Sequence, residues 1–261
     1  MRTKKNSLGR TTIQSETYGK TDDAKRKKPL GKVEKVANMK NEKKKFALIF
    51  DLDGTLWDGV DTVVEAWNQG FTQLGRSQRV SRESLEPTMG LPIDGFRQLF
   101  FSDLPEEEGA QALDVLMQLE GPLVEKKGGI LFPGVAETIP QLAELADLAI
   151  VSNCGLGYIE AFVRHYQLED YFVDHESNGE TGLSKGENIR LICQRNGFED
   201  AWYIGDTLGD AKAAAFANTP FVFAGYGFGQ VPESQCLATL QSFDELLPLV
   251  REYLLASKKL H

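Results

Sequence analysis

Asp51 and Asp53 stand one residue apart, just past the apolar run Phe46-Ala47-Leu48-Ile49-Phe50. Five consecutive apolar residues fit a strand buried on both faces. Two carboxylates held close at its end raise each other's pKa unless a cation sits between them. Gly54 follows at once, which lets the backbone turn sharply and approach a ligand closely. A second carboxylate pair, Asp206 and Asp210, follows another apolar run, Ala201-Trp202-Tyr203-Ile204. At i and i+4 these two fall on one side of an incipient helix, so both can face one cation. Hard oxygen ligands in small number suit Mg²⁺. The reading is a charged, metal-binding loop cluster at the carboxyl end of a sheet, where open α/β sheets bind ligands.

The stretch Asp51-Leu52-Asp53-Gly54-Thr55-Leu56 resembles the first motif of the haloacid dehalogenase superfamily of phosphotransferases. Three further motifs of that family can be sought in order. Ser152, at the end of the apolar run Leu148-Ala149-Ile150-Val151, resembles the second, whose hydroxyl donates to the transferring phosphoryl group. The same serine also suits the N-cap of a helix from about Leu156. Lys185 resembles the third, with Gly186 where proline is commonest, and Gly205-Asp206-x-x-x-Asp210 resembles the fourth. Within the superfamily the chain is most similar to the phosphoglycolate-phosphatase-like group.

The resemblance implies an α/β fold with a Rossmann-like parallel sheet core and an inserted all-helical cap. It implies a Mg²⁺-dependent phosphatase of a small phosphate monoester, with phosphoglycolate foremost and nucleotides or sugar phosphates close behind. Asp51 would be the nucleophile that forms an aspartyl-phosphate. Asp53 would be the acid and base. Asp51, the Asp53 main-chain carbonyl and Asp206 would hold the metal, with Asp210 orienting bound water. Ser152 and Lys185 would hold the phosphoryl oxygens, with Asn153, Gly54 and Thr55 in the phosphate-binding loops. Haloalkanoate dehalogenation is disfavoured because those relatives lack the second aspartate, here Asp53. Two alternatives stand. A phosphosugar mutase of the β-phosphoglucomutase type is weakened by the lack of an arginine-serine cap pattern beside Gly90. A non-catalytic binding module is weakened by intact Asp51, Asp53, Lys185, Asp206 and Asp210.

Apolar residues between these motifs recur at helical spacing: Val63, Trp67, Phe71 and Leu74, then Ile93, Phe96, Leu99 and Phe100, then Ala110, Leu113, Leu116 and Met117. Residues 58–130 therefore read as the helical cap, with 46–57 and 131–261 as the phosphatase core. Gly59 and Gly128-Gly129 are expected hinges. Trp67 and Phe71 are expected in the cap's core, and Gly90-Leu91-Pro92 as a specificity loop. Packing is the expected role of Cys154.

Up to Lys45 the chain has 15 Lys+Arg against 5 Asp+Glu, and the remainder has 14 against 33. A body so acidic is a poor nucleic-acid binder. No stretch approaches the roughly 20 apolar residues of a membrane helix, and the N-terminus lacks the apolar core of a secretory signal. The expected partner is a small phosphorylated metabolite, with neither nucleic acid nor membrane, and the chain as monomer or homodimer. Cys154, Cys193 and Cys236 are far apart, which suggests reduced thiols in the cytoplasm without disulfide or zinc. Residues 1–45 read as a disordered basic tail, with Met39 the expected start and residues 1–38 an upstream over-extension. Deleting residues 1–38 should leave melting temperature and turnover nearly unchanged. A large fall in either would show that the tail docks on the body.

Overall fold

The computed structural model describes residues 46–257. The basic tail, with its expected start at Met39, lies outside the described residues. β1 (Phe46–Phe50) leads into a two-residue strand, β2 (Trp57–Asp58). Four helices follow: α1 (Val60–Gln73), α2 (Arg82–Leu85), α3 (Ile93–Phe100) and α4 (Glu106–Lys127). The chain returns through β3 (Ile130–Leu131), α5 (Val135–Ala143), β4 (Asp147–Ser152) and α6 (Tyr158–Tyr166). Next come β5 (Phe172–Ser177), α7 (Asn178–Thr181), α8 (Lys185–Asn196) and β6 (Asp200–Gly205). Then follow α9 (Leu208–Ala217), β7 (Phe221–Ala224), β8 (Ala238–Leu240) and α10 (Leu246–Ser257).

Six strands form one sheet in the order β5-β4-β1-β6-β7-β8, and every pairing is parallel. β1 is buried along its whole length, as its unbroken apolar run requires. Leu48 and Phe50 pack on one face of the sheet, while Ala47 and Ile49 pack on the other. β4 and β6 flank β1, so strand order reverses there, and the loops leaving β1, β4 and β6 converge on one crevice.

Every element between β2 and β3 is helical. β2 and β3 pair antiparallel, Trp57 with Leu131 and Asp58 with Ile130, in a ribbon that sequence reasoning did not anticipate. Trp57 is fully buried, and its ring centroid lies 5.2 Å from Phe162 and 5.9 Å from Tyr158 on α6. Arg82 of α2 reaches back to pair with Asp58. The first turn of α4 carries Glu106, Glu107 and Glu108, which suits the positive end of the helix dipole.

Several expectations need correction. Ser152 does not cap the following helix, which begins at Tyr158 with Gly157 in the cap position at φ +81°. α8 and β8 were not anticipated. Pro248 falls in the first turn of α10, where a missing N–H goes unnoticed. Among the described residues no helix is long and apolar enough to cross a membrane.

The Trp57 contact joins the cap's point of attachment to the core through α6. Phe162, fully buried, should therefore lose about 3–5 kcal/mol on replacement by alanine. A urea unfolding curve would measure it, and a loss under 1 kcal/mol would show that this aromatic cluster carries little of the stability.

Candidate active site

The amide of Asp51 donates to the Ile204 carbonyl at 2.8 Å, which carries the β1–β6 ladder one residue further. The loop then closes tightly, with the Leu56 amide on the Leu52 carbonyl and the Gly54 amide on the Trp57 carbonyl, both at 2.9 Å. Gly54 has φ +82°, and a Cβ there would lie 2.1 Å from Asp206 Oδ2. Glycine alone lets the loop pass so close to that carboxylate.

Lys185 opens α8, whose start is fixed by a reciprocal capping box between Ser184 and Glu187. Its Nζ lies 2.6 Å from Asp210 Oδ1 and 3.0 Å from Asp51 Oδ1, with the side chain only 5% exposed. Asp206 and Asp210 converge for a reason other than helical spacing. Thr207 is the N-cap of α9, so Asp206 precedes the helix and only Asp210 belongs to it. Asp210 Oδ2 accepts from the Thr207 amide at 2.9 Å and the Thr207 hydroxyl at 2.6 Å. Asp206 Oδ2 accepts from the Phe228 amide at 2.8 Å. That donor belongs to Gly225-Tyr226-Gly227-Phe228-Gly229, a glycine-rich loop after β7 that sequence reasoning passed over.

Asp51, Asp206 and Asp210 each offer a carboxylate oxygen, and the three oxygens lie within 4.8 Å of one another. Asp206 Oδ1 is buried without a hydrogen-bond partner, and Asp51 Oδ1 has none beyond the Lys185 ion pair. A buried all-oxygen set with unfilled lone pairs fits a hard divalent cation such as Mg²⁺.

The electrostatics agree with that fit. Burial, then the charge of Asp210, raises Asp51 to about 6 against the pull of Lys185. Burial, then Asp210 and Asp51, raises Asp206 to about 8. Burial, then Asp51, holds Asp53 well above the usual carboxylate range. Burial alone would lower Lys185, but Asp210 and Asp51 outweigh it and keep the ammonium charged.

The crevice encloses about 470 Å³ of space, its open mouth included. Asp51, Asp53, Ser152, Asn153, Cys154 and Tyr158 line it from the core. From the cap come Trp67, Gly90, Leu91, Phe96, Met117 and Glu120 among others. Cys154 and Trp67 thus face the pocket as well as packing. Asn153 Nδ2 donates to the Gly90 carbonyl at 2.9 Å and ties the cap's turn to the core. Lys185, Asp206 and Asp210 stand outside the wall, as do Gly54 and Thr55. Thr55 is fully buried, with its carbonyl held by the Tyr226 hydroxyl at 2.9 Å.

Two wall residues escaped sequence reasoning. The Tyr158 hydroxyl donates to Asp53 Oδ1 at 3.0 Å, across 105 residues of chain. A Cβ at Gly59 would lie 2.8 Å from that hydroxyl and 2.9 Å from Asp53 Oδ1, so close packing accounts for the glycine expected as a hinge. Glu120, on α4, is 5% exposed and accepts from the Trp67 indole at 2.6 Å. Its place in the apolar stripe of α4, three residues past Met117, was the signal available.

The family model described as haloacid dehalogenase-like hydrolase matches residues 48–224. A phosphoglycolate phosphatase from Nitrosospira multiformis is 28% identical over 218 residues, covering 79% of this chain and 96% of the relative. One from Salmonella typhimurium is 27% identical over 233 residues, covering 76% and 90%. Among solved structures, a predicted phosphoglycolate phosphatase from Haemophilus somnus superposes with a TM-score of 0.67 at 20% identity. That match covers 78% of this chain and 98% of the other.

The raised values of Asp51 and Asp206 set a pH dependence. The folded, metal-free chain binds these protons more tightly than the unfolded chain does. The stability they contribute is therefore complete below the ordinary carboxylate value and lost as pH rises through about 6 and then about 8. Melting temperature in EDTA should fall between pH 5 and pH 9. Mg²⁺ should raise it more at pH 8.5 than at pH 5, because it competes with the protons. An equal Mg²⁺ shift at both would refute the carboxylate cluster as the binding place.

Proposed function

The chain belongs to the haloacid dehalogenase-like hydrolases, in the phosphoglycolate-phosphatase-like group of phosphoric monoester hydrolases, and we propose that it is a Mg²⁺-dependent phosphatase of a small phosphate monoester working through an aspartyl-phosphate. The observation that carries this reading is the convergence of Asp51, Asp206 and Asp210 beside the buried ammonium of Lys185. Asp51, the Asp53 main-chain carbonyl and Asp206 would hold the metal. When bound, the ion offsets the phosphate charge that would otherwise repel an anionic nucleophile.

Asp51 attacks phosphorus, and the bond from phosphorus to the leaving oxygen breaks. Asp53 supplies the proton to that oxygen. Burial, then the charge of Asp51, raises its pKa well above the usual carboxylate range, a direction that favours the protonated form an acid needs. The Tyr158 hydroxyl fixes the direction in which Asp53 points. Ser152 and Lys185 hold the phosphoryl oxygens as charge shifts onto them. In the second half, Asp53 takes a proton from water as the water attacks the aspartyl-phosphate, releasing inorganic phosphate and restoring Asp51. The cap wall, tied to the core through Asn153 and Gly90, shields these steps from bulk water. The three cysteines are free thiols, which suits a reducing compartment such as the cytoplasm.

The two motif carboxylates should fail differently. Asp51→Asn should abolish turnover of every ester, whatever its leaving group. Asp53→Asn should slow phosphoenzyme formation by roughly 10²–10⁴-fold for alkyl phosphates, and much less for aryl phosphates, whose phenolate leaves without a proton. Single-turnover measurements would separate the formation step from hydrolysis. Equal slowing for both ester classes, or phosphate trapped on a residue other than Asp51, would show that the roles are misassigned.

A further inference from the structure

Glu120 lies in the cap wall of the pocket and plays no part in the chemistry described above. One of its oxygens is engaged, since Oε1 accepts from Trp67 Nε1 at 2.6 Å. Oε2 has no hydrogen-bond partner among the described residues, although the side chain is 95% buried. It points to the side of the pocket where Gly155 follows Ser152, Asn153 and Cys154. A Cβ built on Gly155 would lie 3.8 Å from it. Packing holds α4 there, because Gly121 lets the helix press against the Gly157 carbonyl.

A carboxylate buried without a cation is costly to retain. Here burial pushes Glu120 up to about 7, and the Trp67 bond pulls it back only partly. Nothing in the pocket wall compensates it among the described residues, none of whose lysines, arginines or histidines lines the pocket. The one ammonium of the site, Lys185, is already shared between Asp51 and Asp210. The rest of the cap wall is apolar, with Val63, Leu85, Phe96 and Met117. Glu120 is thus the one charged side chain that the cap's described residues present to a leaving group in this space, and when ionised its free oxygen only accepts hydrogen bonds.

We propose that Glu120 is a specificity residue, and that the substrate's leaving group presents it with a hydrogen-bond donor, a hydroxyl or ammonium, and carries no carboxylate. This rests on the phosphatase reading and narrows it. The curated relatives are named for a carboxylate-bearing ester. A glycolate carboxylate here would face Glu120 with no cation to receive it, so this chain would disfavour the ester for which those relatives are named.

The test uses the full chain with Mg²⁺ and three two-carbon esters of matched length: 2-hydroxyethyl phosphate, phosphoethanolamine and phosphoglycolate. An aryl phosphate reports the phosphatase chemistry separately. In the wild type, kcat/KM for the hydroxyl and ammonium esters should exceed that for phosphoglycolate by about tenfold or more, the penalty for leaving a buried polar group unpaired. Glu120→Gln keeps its one oxygen for Trp67 and puts an amide NH₂, a donor without charge, where Oε2 stood. The ratio of phosphoethanolamine to phosphoglycolate should therefore fall by about tenfold in the variant. Taking the ratio within one preparation cancels any difference in folded fraction, and if the variant does not fold the wild-type ranking decides. Aryl phosphate turnover without the expected ranking, or with the ratio unchanged in a folded variant, overturns the inference alone. No turnover of any ester, the aryl one included, overturns the phosphatase reading and this inference with it.

Discussion

The structure depends on one electrostatic constraint: among the described residues, four buried carboxylates and one buried ammonium crowd together at the carboxyl edge of the sheet. Like charges so close cannot all ionise unless something positive is added. Lys185 meets part of the demand by bridging Asp51 and Asp210. Tyr158, Thr207 and the Phe228 amide meet another part with hydrogen bonds to Asp53, Asp210 and Asp206. What remains unbalanced is the unpartnered Oδ1 of Asp206 beside an Asp51 oxygen that only the Lys185 ion pair meets, and there a divalent cation fits.

The same constraint divides the labour between two neighbours in sequence. Asp51 faces Lys185 and sits only moderately above its usual range, whereas Asp53 has no cation and is pushed much further. Two identical side chains one residue apart thus differ in environment, one beside an ammonium and one beside only a tyrosine hydroxyl and other acids. Backbone geometry makes the division possible. The strand ends at Phe50, and the tight turn at Gly54 sends the two carboxylates to different partners.

Much of this was legible in the sequence because the site is built on strand ends, and buried parallel strands announce themselves as apolar runs. Phe46–Phe50, Leu148–Val151 and Ala201–Ile204 each lie within a strand of the sheet, and each run leads directly to a residue of the site. The rest was hidden for identifiable reasons. Asp206 and Asp210 were read through helical spacing, but a capping threonine between them does the positioning. Tyr158 contacts Asp53 only through the tertiary fold, and no local pattern marks it. Glu120 was obscured because its helix opens with three surface glutamates, so one more acid looked like solvated surface. β8 has three residues, too few for periodicity to register.

The β2–β3 ribbon has a consequence for how such a protein can change over time. Because Trp57 pairs with Leu131 and Asp58 with Ile130, the helical insertion leaves and rejoins the core at one doorway. A change in its length between those ends then need not displace the strands that carry Asp51, Ser152 and Asp206. A segment whose two ends are clasped together can be lengthened, trimmed or exchanged at little cost in loop closure. On the reading proposed above, substrate choice and bond-breaking chemistry would sit in separately editable passages of one chain. A lineage can revise the choice by altering the text between positions 58 and 130 and leave the chemistry as written.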